Sequence, residues 1–460
     1  MMNWGLKGVV AFLLLSFFLD NPLTGQTSLN LDSLSRWDDP FLISRSDVVY
    51  SDIWGYADDN GREYAILASI QFTLFIDVTD PKNPVEVDRE RGGTNCVWRD
   101  FKTYGHYAYG VGDFCSPGLE IFDLSTLPDS VHKVYDSPEF VNNTHNIFID
   151  TAAGRLYASG FGTSVGHDIV ILDLTQNPAQ PELLRNLELP GSPSADYVHD
   201  LYVRNDTAYC SQGNQGTLHI YDLTDLSIPD GDIVPVASWS SSGYNHSNWL
   251  SDDGKTIMLA NETFGQPLRV ADYSNKSAIV EKSTIKSTLL APNQTNSIAH
   301  NPFIVGNDFA AISYYEDGLQ IISIEDPDNP FIAGYFDTRP SGQTYSFKGA
   351  WGAYPYLPSG NIIVSDIDNG LFVLKPIFPL RDCERDILLS GFYDHTWEVI
   401  SADSIKINAT YDEDAFVEYK APQGIEFLPD FELRSRAELE AENVDECSTI
   451  LNKKGAYRFK

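Results

Sequence analysis

One strand-and-turn phrase recurs seven times along this chain, and no other feature restricts its fold as tightly. It reads TLFIDVTDPKNP over Thr73–Pro84, LEIFDLSTLP over Leu119–Pro128 and IVILDLTQNP over Ile169–Pro178. It returns as LHIYDLTD over Leu218–Asp225, LRVADYSN over Leu268–Asn275 and LQIISIEDPDNP over Leu319–Pro330, then in truncated form as LFVLKP over Leu371–Pro376. The aligned column Asp77, Asp123, Asp173, Asp222, Asp272, Ser323 and Lys375 is spaced by 46, 50, 49, 50, 51 and 52 residues. A period near 50, with apolar residues alternating, describes one small sheet per repeat.

The fourth repeat resolves into strands at Asp200–Val203, Ala208–Ser211, Leu218–Leu223 and Ile233–Trp239, with a polar turn at Asn205–Asp206. Four-stranded units of this kind hide their apolar faces only against one another, so the array must close into a ring. Seven copies predict an all-β chain: a seven-bladed β-propeller over residues 27–380, followed by a small C-terminal β module over 381–460. The last copy has no fourth strand of its own, and the segment between Trp37 and Val49 is expected to supply it. The motif's Asp invites a metal reading in DPKNP and DPDNP. Asp, Asn and Pro also nucleate tight turns, which is the stronger expectation.

The 31 basic and 65 acidic residues give a net charge of −34, which argues against nucleic acid as a partner. Lys7, the apolar run Val9–Phe18 and the polar exit Thr24, Gly25 and Gln26 have the layout of a secretory signal over residues 1–26. Export to the outside or the outer cell surface is therefore expected, with no membrane-spanning segment in the mature chain. Among five cysteines, Cys96 and Cys115 flank two adjacent strands and are placed to pair. Cys383 and Cys447 form a second candidate pair, leaving Cys210 in a strand.

A second column falls at the start of each repeat: Trp54, Trp98, His145, His199, His246, His300 and Trp351. The residues that follow are small or polar: Gly55, Arg99, Asn146, Asp200, Ser247, Asn301 and Gly352. In a propeller this column rings one mouth of the central channel. The second strands return to the same mouth and bring Asp113, Glu262, Asp317 and Asp366 or Asp368. Imidazole with carboxylate suits a divalent transition metal, with His199, His246, His300 and Glu262 as the candidate ligands. The same groups suit general acid–base work, and the indoles suit stacking on a sugar or aromatic ligand. Repeats also inherit one residue at one position for packing alone, so a structural role stands beside both. No phosphate-binding loop or HExxH is present. Sequons stand at Asn142, Asn205, Asn245, Asn261, Asn275, Asn293 and Asn408.

The DVTDPKNP, IFDLS and ILDLT phrases resemble the LVIVD repeat. With DIWGY (Asp52–Tyr56), WRDFKTYGHYAY (Trp98–Tyr109), HNIFID (His145–Asp150), YVHDLYV (Tyr197–Val203), GYFDT (Gly334–Thr338) and SDIDNGLFVL (Ser365–Leu374), the stretch Asp52–Lys375 resembles the choice-of-anchor B family. That resemblance implies an exported propeller with a C-terminal attachment device and carries no catalytic activity. The run Phe416–Glu442 resembles the coil repeats that precede sorting signals in secreted Bacteroidetes proteins, and it implies a short stack of strands. Anchoring and simple shielding of the propeller edge both remain open for it. Two functions follow as expectations. One is a secreted or surface scaffold binding a small molecule, glycan or protein in its funnel. The other is a metal-dependent hydrolase or lyase using the same His and carboxylate groups.

Overall fold

The computed structural model describes residues 28–377, apart from loop positions 94, 114, 116–117, 162–166, 190–196, 288, 290–297 and 341–345, and then the strands between 387 and 442. The segment 1–26, Cys383, Cys447, His395 and Asn293 lie outside the described residues.

Seven four-stranded antiparallel sheets form the blades. Their innermost strands are Tyr50–Ala57, Trp98–Tyr104, Asn146–Asp150, Asp200–Arg204, Asn245–Leu250, Asn301–Val305 and Ala350–Tyr354, for blades one to seven. Each is followed outward by a second, third and outer strand, so the repeated Asp closes every third strand of blades one to five. There it folds back: Asp77, Asp123, Asp173, Asp222 and Asp272 each accept the N–H two residues ahead at 2.8–3.0 Å. The column is a turn column. Apolar faces meet between blades, as where Tyr109, Val111, Leu119 and Ile121 pack on Ile147, Leu156, Val170 and Leu172. Burying such side chains contributes about 1.5–3 kcal/mol each, which makes the ring cohere.

The ring is closed by the N-terminus, but not by the expected segment. Leu31–Trp37 pairs with Gly370–Pro376 as the outer strand of blade seven, and Ser28–Leu29 adds a fifth strand to blade six. Residues 38–49 instead carry the chain from the rim of blade seven to the innermost strand of blade one. That radial crossing uses the turn formers Asp39 and Pro40 and a tight reversal between Arg45 and Val48, where Ser46 and Asp47 take positive φ. A crossing segment cannot also be a rim strand.

Cys96 and Cys115 form a disulfide, and Cys210 is a buried free thiol. After residue 386 the strands pair in parallel. Ile387 aligns with Ile405 and Ile405 with Ile425 in one sheet, while Trp397 aligns with Phe416 and Phe416 with Glu438 in another. Partners 18–22 residues apart describe a coil advancing one turn at a time. Among the described residues no helix is long and apolar enough to cross a membrane.

Candidate functional site

The innermost strands begin at one mouth of the channel, so a residue at each start projects toward the axis. His145, His199, His246 and His300 occupy that place in blades three to six, with successive ring centroids 4.4, 4.4 and 4.3 Å apart. Trp351 of blade seven continues the arc at 4.1 Å from His300, and Trp98 of blade two stacks on Trp351 at 4.3 Å and 2°. Six rings from six blades thus form one continuous arc.

Trp54 does not join it. In blade one a bulge lies between the Tyr50–Ser69 and Ile53–Leu67 pairs, and Asp52 caps the Phe101 N–H at 2.9 Å. Asp100 caps Ile147 and Asn146 caps Leu201 in the same manner. Asp52 therefore corresponds to Asp100 and Asn146, and Trp54 stands two positions deeper. Its counterparts there are Lys102, Phe148, Tyr202, Trp249, Phe303 and Tyr354, nearly all aromatic. They pack at steep angles, with Tyr202–Trp249 at 4.7 Å, Trp54–Tyr354 at 4.9 Å and Trp249–Phe303 at 5.1 Å, and they floor the channel.

The imidazoles are oriented by the next blade. His199 Nδ1 lies 3.2 Å from the His246 carbonyl, and His300 Nδ1 lies 2.5 Å from the Trp351 carbonyl. A carbonyl only accepts, so each Nδ1 carries the proton and each Nε2 keeps its lone pair. His300 Nε2 is buried with no hydrogen-bond partner among the described residues. His246 presents Nε2 to Glu262 Oε2 at 3.8 Å. Burial, joined by the neighbouring imidazoles, holds His199, His246 and His300 well below the ordinary histidine value. His145 is the exception: burial pulls it down, but the Asp113 contact at 3.3 Å and the charges of Asp113, Asp200 and Asp100 raise it overall.

One ligand atom each of His145, His199 and His246 lie within 4.8 Å of one another, as do those of His246, Glu262 and His300. A tetrahedral ion with bonds near 2.0 Å needs ligands about 3.3 Å apart, a separation inside that 4.8 Å limit. Glu262 is pushed up to about 7 by burial, against the Tyr315 hydrogen bond and His145. The Tyr315 hydroxyl donates to Glu262 Oε1. Sequence reasoning missed Tyr315, which sits in a loop outside the repeat columns at φ +43°. Gly349 lets that backbone approach, since a Cβ there would meet the Tyr315 carbonyl oxygen at 2.2 Å.

The remaining carboxylates are spread along the turns. Asp317 is buried in the turn that follows the second strand of blade six, where its N–H donates to the Tyr314 carbonyl. Asp366 accepts the N–H groups of Asp368 and Asn369, and Asp368 pairs with Lys348 at 2.7 Å. Neither Asp317 nor Asp366 belongs to a group with metal-ligand spacing among the described residues.

Between the imidazole arc and the aromatic floor lies a cavity of about 30 Å³, lined among others by Asp52, Asp100, Lys102, Asp200, Asn248 and Asn301. Lys102 Nζ binds Asp100 at 2.6 Å and stands 4.4 Å from the Trp54 ring centre. Burial and the Asp100 charge raise the Asp52 carboxyl well above its usual range, and burial raises Asp200 to about 7. The signal for this layer was the two-residue alternation beyond the histidine column.

No protein-family model matches the chain, and no curated protein does. Solved structures do. The β-propeller domain of Cps50 (Swd1) from Myceliophteria thermophila is similar with a TM-score of 0.50 at 12% identity, over 75% of this chain and 98% of that one. U3-55K is similar with a TM-score of 0.51 at 8% identity, again over 75% and 98%. At such identities the likeness extends to the fold alone, and the chain has the fold of a seven-bladed β-propeller.

Proposed function

We propose that this is an exported ligand-binding propeller whose channel mouth takes a divalent transition metal through His199, His246, His300 and Glu262. One observation carries the reading: the His246, Glu262 and His300 ligand atoms converge within 4.8 Å, while the His300 Nδ1–H is held by a backbone carbonyl. That second hydrogen bond is what fixes a metal-binding imidazole in its tautomer. It also reconciles the packing and binding roles, since Nδ1 ties the next blade and Nε2 stays available. Nitrogen and carboxylate donors together suit zinc, iron or manganese. The signal-like N-terminus, the disulfide and the quoted LVIVD-type phrases support an exported protein of the choice-of-anchor B kind.

Metal analysis after purification without chelator tests it. A stoichiometric transition metal is expected, lost in both His246→Ala and His300→Ala and weakened in Glu262→Gln. Metal-free protein that cannot be loaded with Zn²⁺ or Co²⁺ would leave only a scaffold. The hydrolase or lyase reading uses the same ion, with the histidine and carboxylate side chains of the mouth placing a bound water. Ester or phosphoester turnover by metal-loaded protein, absent in Glu262→Gln, distinguishes it.

A further inference from the structure

The cavity beneath the histidine arc has a chemistry of its own. Its walls offer carboxylate and carboxamide oxygens beside one ammonium, Lys102, and the side chains differ from those of the mouth. Asp100 is committed: Oδ1 to Lys102, Oδ2 to Asn146 and the Ile147 N–H. Asp52 caps Phe101. Asp200 of blade four forms no salt bridge among the described residues, although it lines the same cavity. Beside it in blade five, Asn248 is 3% exposed. Its Nδ2 donates to the Tyr209 carbonyl at 3.0 Å and to Ser211 Oγ at 2.9 Å. The carbonyl contact fixes which end of the amide is nitrogen, so Oδ1 is the end left buried without a partner. Asn301 of blade six likewise holds a buried Oδ1 without a partner. A buried acceptor left unmatched is destabilising, a deficit that a bound cation removes.

Charge points the same way. Three carboxylates, Asp52, Asp100 and Asp200, face one ammonium, Lys102, which leaves two negative charges when all are ionised. The cavity's free volume is about 30 Å³, against the roughly 10–15 Å³ that one water needs. It has room for an ion that keeps part of its hydration shell. From these observations we infer that the cavity is a second, hard-cation site, taking Ca²⁺ on Asp200, Asn248 and Asn301 with water completing the shell. Carboxylate, carboxamide and water oxygens in an irregular space are calcium's preferred set, whereas Mg²⁺ demands closer and more regular octahedral geometry. The site is independent of the histidine centre above it and does not require that centre to be real.

Trp54 and Trp249 line the cavity, so they supply a readout: Tb³⁺ bound there would be sensitised by indole excitation. Full-length protein treated with chelator is titrated with Tb³⁺, then with Ca²⁺ as competitor. Saturable one-to-one emission displaced by Ca²⁺ is expected, unchanged in His246→Ala and His300→Ala. Asp200→Asn should weaken binding about tenfold, and Asn248→Asp, which adds a ligand charge, should tighten Ca²⁺ binding several-fold. A misfolded variant cannot produce that gain. Absence of saturable emission, or emission indifferent to both Asp200→Asn and Asn248→Asp, overturns the inference. Emission lost in the histidine variants but kept in Asp200→Asn would also overturn it, assigning the ion to the mouth.

Discussion

Asp366 isolates what burial does to a single carboxyl in this ring. It is fully buried, it accepts two backbone N–H groups, and burial still pushes it up from 3.8 to about 6. A carboxyl raised on folding holds its proton more tightly in the native state. Its favourable contribution is complete below about pH 4 and is lost as pH rises through 6. Asn at this position keeps an acceptor and cannot ionise. Urea titrations should therefore show Asp366→Asn gaining about 1–3 kcal/mol on the wild type between pH 4 and pH 7. A difference that does not change with pH would mean that the native carboxyl ionises normally. At this scale much was legible. The turn role of Asp77, Asp123, Asp173, Asp222 and Asp272 followed from their chemistry, and the four histidines followed from the repeat. Trp54 was misaligned because a bulge in its strand shifts register without changing the spacing to its neighbours. Tyr315 was invisible because a loop residue belongs to no column.

The disulfide ties together the two ends of the first hairpin of blade two, and the packing leaves no slack around it. Cys96 and Cys115 flank the hairpin Trp98–Tyr104 and Tyr107–Asp113, so proximity could be read from position alone. What position does not reveal is Gly112, where a Cβ would lie 2.6 Å from Cys115 Sγ and 3.2 Å from Cys96 Sγ. Gly112→Ala should cost about 1–3 kcal/mol in the oxidised protein. Replacing both cysteines by Ala should cost about 3 kcal/mol by itself. Adding Gly112→Ala to that background should cost distinctly less than in the wild type, because the obstructing sulfurs are gone. Equal costs in the two backgrounds would locate the clash elsewhere. The closing strand was harder to read than this hairpin. Two neighbouring segments, Leu31–Trp37 and residues 38–49, both have mixed apolar and polar character. Only the need to travel from rim to axis decides which of them is free to pair.

A closed ring makes distant segments depend on one another, and here the dependence concentrates at the N-terminus. Leu31–Trp37 covers the edge of Gly370–Pro376 in blade seven, while Ser28–Leu29 reaches back to blade six. Leu31 is buried with Phe372 and Leu374, and Leu34 and Trp37 pack on the cluster that joins blades seven and one. A chain beginning at Asp38 would bare a main-chain edge and parts of two apolar faces at once. Exposed edges recruit other strands, so this variant should self-associate as concentration rises. Its melting temperature should fall by roughly 10 °C or more, since the lost contacts serve two blade interfaces. The Trp98–Trp351 stack makes a local reporter, because it spans from blade two to blade seven across blade one. Opening the ring should abolish the near-ultraviolet circular dichroism of that indole pair, and a Trp351→Phe control would identify its share. A peptide covering residues 28–37, added in trans, should restore both the signal and the melting temperature. If the shortened chain stays monomeric, melts unchanged and keeps the indole signal, then closure is carried by the blade faces and the N-terminal strands only decorate the rim.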